Sequence, residues 1–147
     1  MKFYTCNNSM KRNALPLLAV FALFMLASCA RKLSFNNSVV VPAAQGQVKV
    51  KKDNNKNYAI EVKVTNLAPP KNLRPARNTY VVWVETKDNG IKSLGQLNSS
   101  SGFFSDGLKA SLKTVTSYEP KSFFITAEDN GSTQYPGEQV VLRTDNY

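Results

Sequence analysis

Reactive side chains are few in this sequence, and their types narrow the chemistry quickly. Two thiols are present, Cys6 and Cys29, and there is no histidine. Without histidine, Ser-His-Asp and Cys-His nucleophile pairs are absent, and so is the commonest zinc and copper ligand. The ten carboxylates are scattered, with no D-x-D-x-D-G loop for calcium and no Gly-rich loop for phosphate. A pair of acids working on a glycosidic bond would need a cleft, and no carboxylate pair stands out. Glu128, in Thr126-Ala127-Glu128, reads as a strand-end residue of a hairpin. No enzyme activity, metal or cofactor is expected, which leaves Cys29 as the residue whose setting is chemically specific.

Cys29 is positioned by what precedes it. Lys11-Arg12 is followed by an apolar run, Ala14–Leu26, and then by Leu26-Ala27-Ser28-Cys29. About 13 residues are too few for a permanent span, which takes about 20. A positive flank, a short apolar core and small residues have the order of a secretory signal. The Leu-Ala-Ser-Cys ending resembles the lipobox of bacterial lipoproteins. That resemblance implies cleavage between Ser28 and Cys29, lipid on the Cys29 thiol, and anchorage to a membrane through it; two or more acyl chains hold stably where one does not. Met10, directly before Lys11-Arg12, would open a compact signal and is an alternative start. Ala30 follows the cysteine where the enteric inner-membrane retention pattern has aspartate, so the implied address is the bacterial cell envelope, at the outer membrane.

Residues 29–147 make one domain. With Cys29 lipidated no disulfide is available, so packing alone must hold it. The formal charge is +9; Lys2, Lys11 and Arg12 lie in the signal and every carboxylate follows it, leaving +6 on the remainder. Residues 31–92 carry twelve Lys/Arg against four acids, and 93–147 carry four against six. A basic first half suits anionic lipid headgroups or acidic glycans. An exported protein seldom meets nucleic acid, which is not expected as a partner.

Residues 29–38 read as a flexible polar tether. Period-two alternation then begins. "QVKVKK" sets Val48 and Val50 against lysines, and "YAIEVKVTN" sets Tyr58, Ile60, Val62 and Val64 against Glu61 and Lys63, with "DNNKN" between them as a hairpin turn. "LAPPKNLRPARN" holds three prolines and reads as a long connection. "TYVVWVET", "IKSLGQL", "LKASLKTVTS", "KSFFITAED" and "EQVVLRT" supply further strands, and "NSSSG" reads as a loop. Gly90, Gly131 and Gly137 are expected in turns with positive φ. About seven strands over 39–147, with no sustained helical period, predict an all-β, immunoglobulin-like antiparallel β-sandwich after an N-terminal signal helix. Trp83 is expected to point between the sheets near Ile60, Val62, Val81, Phe124 and Val141.

From Leu67 to Thr144 the order of features resembles the extracytoplasmic C-terminal domain of anti-sigma-K-type factors. The features are Tyr80 and Trp83 in "YVVWV", Leu94-Gly95-Gln96-Leu97, Thr126-Ala127-Glu128, Asn130-Gly131, Pro136-Gly137, and Val140 to Leu142. The resemblance implies a sandwich that senses or contacts something outside the cytoplasm, without a catalytic site. Those factors also carry a cytoplasmic sigma-binding domain and a membrane span, which this sequence lacks, so sigma-factor binding is not implied. The expected function is a lipid-anchored sandwich binding a protein or glycan through a loop, with Lys71, Arg74 and Arg77 as its charged residues. A structural subunit of a surface assembly and a carboxylate-dependent glycan hydrolase are the alternatives.

Overall fold

A computed structural model describes residues 30–100 and 108–147, apart from the Ser100 side chain. The signal segment, Ser28, Cys29 and Phe103-Phe104 lie outside the described residues. Nine strands form: β1 (Arg31–Ser34), β2 (Gln45–Lys52), β3 (Tyr58–Leu67), β4 (Thr79–Thr86), β5 (Ile91–Gln96), β6 (Asn98–Ser100), β7 (Leu108–Thr116), β8 (Pro120–Glu128) and β9 (Val140–Arg143). They make two antiparallel sheets, ordered β1-β2-β3-β7-β6 and β5-β4-β8-β9. The sheets face each other as a β-sandwich.

The β2–β3 hairpin shows why these residues make strands. Val48 lies opposite Val62 and Val50 opposite Ile60, all buried, while Lys49 lies opposite Glu61 on the other face. The turn between them is held by Asp53, whose Oδ1 accepts the backbone N–H groups of Asn55 and Asn57, each at 2.8 Å. These bonds, that from the Asn57 backbone foremost, lower the Asp53 pKa.

Two strands exceed the expected seven, and both come from segments read as irregular. Arg31–Ser34, expected to be tether, is β1. It is ordered because Leu33 packs on the core and the Arg31 guanidinium sits 4.7 Å from the centre of the Tyr147 ring. Phe35 continues the contact, buried and bridged to Thr144. Asn98–Ser100, read as loop, is β6 on the other edge, paired with β7.

The main core lies between the sheets. Val48, Ile60, Val62 and Val64 of one meet Tyr80, Val82, Val84, Phe123 and Ile125 of the other. Burying each such side chain contributes about 1.5–3 kcal/mol. Trp83 is not among them, contrary to expectation. It is fully buried, but with Val81 and Phe124 in a separate cluster on the outer face of the four-stranded sheet. Its ring lies near parallel to that of Phe124, with centroids 6.3 Å apart. Val81 and Phe124 are its neighbours as expected; Ile60, Val62 and Val141 belong to the other cluster. The physical reason is that Glu85 shares Trp83's face, since strand side chains alternate, and its carboxylate needs Lys121, Ser122 and Arg143 at the surface.

Antiparallel pairing places the loops at two ends. Ala30, the turn after β2, the turn after β4 and the turn after β7 share one end. The last two are joined there by Lys87 and Glu119. The segments after β1, β3 and β8 share the other end, about 33 Å away along the ten residues of β3.

Candidate functional site

At the end remote from Ala30 the β3–β4 connection forms a groove wall. Its prolines cannot extend a strand, and Pro70–Asn72 turn as a short 3-10 segment. The N–H groups of Asn72, Leu73 and Arg77 bond to the carbonyls of Pro69, Pro70 and Pro70 at 2.9, 3.2 and 3.0 Å. Leu73 is buried and pins the segment. The Tyr80 hydroxyl donates to the Ala68 carbonyl at 2.8 Å, and burial pushes its pKa up to about 12. The Arg74–Pro75 peptide is cis.

The opposite wall comes from Glu138, Gln139 and Val140, and Val40 of the β1–β2 loop completes the rim. The groove has a volume of about 580 Å³, with Leu73, Pro75, Val40 and Val140 as its apolar surface and Asn72, Arg74, Glu138 and Gln139 as its polar groups. The Gln139 side-chain oxygen is buried and has no hydrogen-bond partner. A buried acceptor left unpaired costs about 1–3 kcal/mol.

The second wall is held by a relay through the sheet. The Trp83 Nε1–H donates to Thr126 Oγ1 at 2.8 Å, Thr126 Oγ1 donates to Glu128 Oε1 at 2.5 Å, and the Gly137 N–H donates to the same Glu128 oxygen at 2.7 Å. Glu128 thus ties the β8–β9 loop to the outer cluster. Gly137 and Gly131 do not adopt the positive φ expected of them; Gly90 does (φ +68°), and so does Gly95 (φ +126°), for which it was not expected. Close approach explains the other two: a Cβ on Gly137 would stand 2.8 Å from Glu128 Oε2, and one on Gly131 would meet the Gln96 side chain.

The three loop cations expected from the sequence separate. Arg74 lines the groove and Lys71 is exposed beside it on the 3-10 turn. Arg77 is half-buried and bonds Asp129 at 3.1 Å, while Asn78 donates to the carbonyls of Glu128 and Asp129, so this corner clasps the two loops together. Among the described residues no cluster of three or more acidic or thiol side chains could hold a metal.

Glu138, Gln139 and Val40 were not marked by the sequence reading. Pro136-Gly137 was a legible turn, but that it folds Glu138-Gln139 against the proline segment depends on Glu128 being turned to Gly137. No protein-family model matches this chain, and neither the curated proteins nor the solved structures give a match.

Proposed function

We propose that this chain is a bacterial envelope lipoprotein of non-enzymatic type, anchored through Cys29, whose sandwich holds a partner in the groove between the β3–β4 and β8–β9 segments. The observation that carries the reading is the groove's place: it opens at the end opposite Ala30, the residue next to the lipobox cysteine. An anchor at one end leaves the other free to engage something in the envelope. The groove offers both charge signs over an apolar surface, which favours a protein segment over a glycan. Outer-membrane localisation belongs to the same proposal, from Ala30 following the cysteine.

The strand order supports an immunoglobulin-like reading. β2-β3-β7-β6 and β5-β4-β8-β9 follow the A-B-E-D and C′-C-F-G arrangements of such sandwiches, with β1 as an added edge strand. The likeness to anti-sigma extracytoplasmic domains rests on sequence order and points the same way, to contact without catalysis.

The test is photo-crosslinking in envelopes from a reactive side chain placed at Asn72. A discrete protein adduct, lost with Arg74→Glu and kept with Lys92→Glu on β5, is expected. An adduct pattern unchanged by Arg74→Glu would refute the groove as the binding site.

A further inference from the structure

The outer face of the five-stranded sheet carries most of the domain's excess charge. Lys32, Lys49, Lys51, Lys63 and Lys113 all point outward, because their strand neighbours Val48, Val50, Ile60, Val62 and Val64 point into the core. Lys32, Lys49, Glu61 and Lys113 form one row across four strands. Glu61 is the sole acid on this face among the described residues; its carboxylate lies 3.1 Å from Lys63 and 3.7 Å from Lys113. One acid among these five lysines leaves about four positive charges unmatched, on a patch about 15 Å across the strands and about 13 Å along them. The other sheet differs: on its outer face Glu85 has both Lys121 and Arg143.

Ala30, the residue next to Cys29 in the sequence, borders the same face. Ala30 borders a shallow hollow of about 470 Å³ with Lys49, Lys51, Ala59, Lys113 and Val115, and Val115 is 65% exposed. Cys29 is one residue away, about 3.8 Å between Cα atoms. Because β1 starts at Arg31, no tether separates an anchor at Cys29 from this sheet.

We propose that the outer face of the five-stranded sheet docks flat on an anionic phospholipid leaflet, its ammonium groups on lipid phosphates and Val115 at headgroup level. The orientation rests on lipidation of Cys29; the charge match does not. The domain so placed lies on its side, with the groove at one lateral end and clear of the membrane.

The mature protein reconstituted into vesicles provides the test. A membrane-impermeant amine reagent is applied in neutral phosphatidylcholine and in vesicles containing phosphatidylglycerol, and modification is read residue by residue by mass spectrometry. Lys32, Lys49, Lys51, Lys63 and Lys113 should react about fivefold more slowly on the anionic vesicles, the Boltzmann factor of one lysine held at such a surface. Lys71 and Lys87 should react equally on both. High salt should abolish the protection, as should Lys49→Gln/Lys51→Gln/Lys113→Gln for the two lysines that remain. Equal reactivity of the five on both vesicle types would overturn the proposal. So would protection on neutral vesicles by a soluble acidic polysaccharide with none on anionic ones, which would assign the face to glycans. Intact mass reports the acyl chains independently: a processed but unlipidated protein that still shows the anionic protection would refute the anchor and retain the docking face.

Discussion

The relay Trp83–Thr126–Glu128–Gly137 can be taken apart by a double-mutant cycle. Thr126→Val keeps the side-chain volume and removes the oxygen. The indole N–H, on a residue with no exposed surface, is then a buried donor without an acceptor, costing about 1–3 kcal/mol. Glu128 also loses its hydroxyl donor, and a hydrogen bond to a carboxylate contributes about 1.5–3 kcal/mol. About 4 kcal/mol in total is a large share of a typical stability of about 5–15 kcal/mol. Trp83→Phe removes the indole N–H and part of the ring, costing about 1 kcal/mol for the bond and about 1 kcal/mol for lost burial. In the double variant no indole N–H is left to strand, so its cost should fall short of the sum by about 1–2 kcal/mol. Urea unfolding followed by far-UV circular dichroism is the appropriate assay, because Trp83 is the sole tryptophan and its replacement removes the fluorescence signal. Additivity within about 0.5 kcal/mol would mean the two residues act independently, and the relay would be refuted.

Gly137→Ala should lower stability by about 1–3 kcal/mol, because the new Cβ presses on a carboxylate held in place by Thr126; Gly90→Ala, in open space at φ +68°, should cost about 1–2 kcal/mol through backbone strain alone. Glu85 is held below its ordinary value near 4.5, first by the Lys121 hydrogen bond, then by Ser122, and also by the charges of Lys121 and Arg143. A depressed carboxyl stabilises the fold above its unfolded value and ceases to do so as pH falls through the folded one. Glu85→Gln should therefore flatten the stability profile below about pH 4.5 and leave its shape above pH 6 unchanged, as thermal melts across that range would read. Cys29→Ser should abolish metabolic palmitate labelling and accumulate an unprocessed precursor on immunoblots; a processed, detergent-partitioning variant would refute lipid attachment there.

The sequence exposed the strands whose two faces differ. β2 and β3 alternate valine or isoleucine with lysine or glutamate, so their register and inward set could be read from period two. β4 could not be read that way. Six of its first seven described positions are buried, Thr79 through Val84, because the sheet's outer face carries its own apolar cluster. Alternation then offers two apolar sets, Val81 with Trp83 or Tyr80 with Val82 and Val84, and size favours the wrong one. Glu85 was the better guide: a charge fixes which face reaches water more firmly than an aromatic fixes which face does not. β1 escaped because its packing is long-range: Arg31 lies on Tyr147, and Phe35, the next residue after the strand, bridges Thr144. The lysine face was legible as alternation at 49, 51 and 63, but its union with Lys32 and Lys113 requires the sheet order. Half of the groove was legible: three prolines marked one wall, whereas the other depends on a carboxylate–backbone bond that composition does not signal.

The edges of the two sheets bear on whether this domain assembles by strand addition. An exposed edge is a template for another chain when it is long, flat and apolar. β1 offers four residues, including Arg31 and Lys32, and β6 offers three. β9 is four residues long and ends on Arg143. β5 is the longest edge, at six, and Gly95 breaks its register against β4 between Val82 and Trp83 while placing Lys92 on the strand. Each edge is therefore short, charged or bulged, so β-augmentation into a surface lattice is disfavoured on all four. Arg74, Glu138 and Gln139 line the groove between two loops instead. If a partner is held by side chains at that end of the sandwich, substitutions in the groove, rather than on any edge strand, should decide whether contact is made.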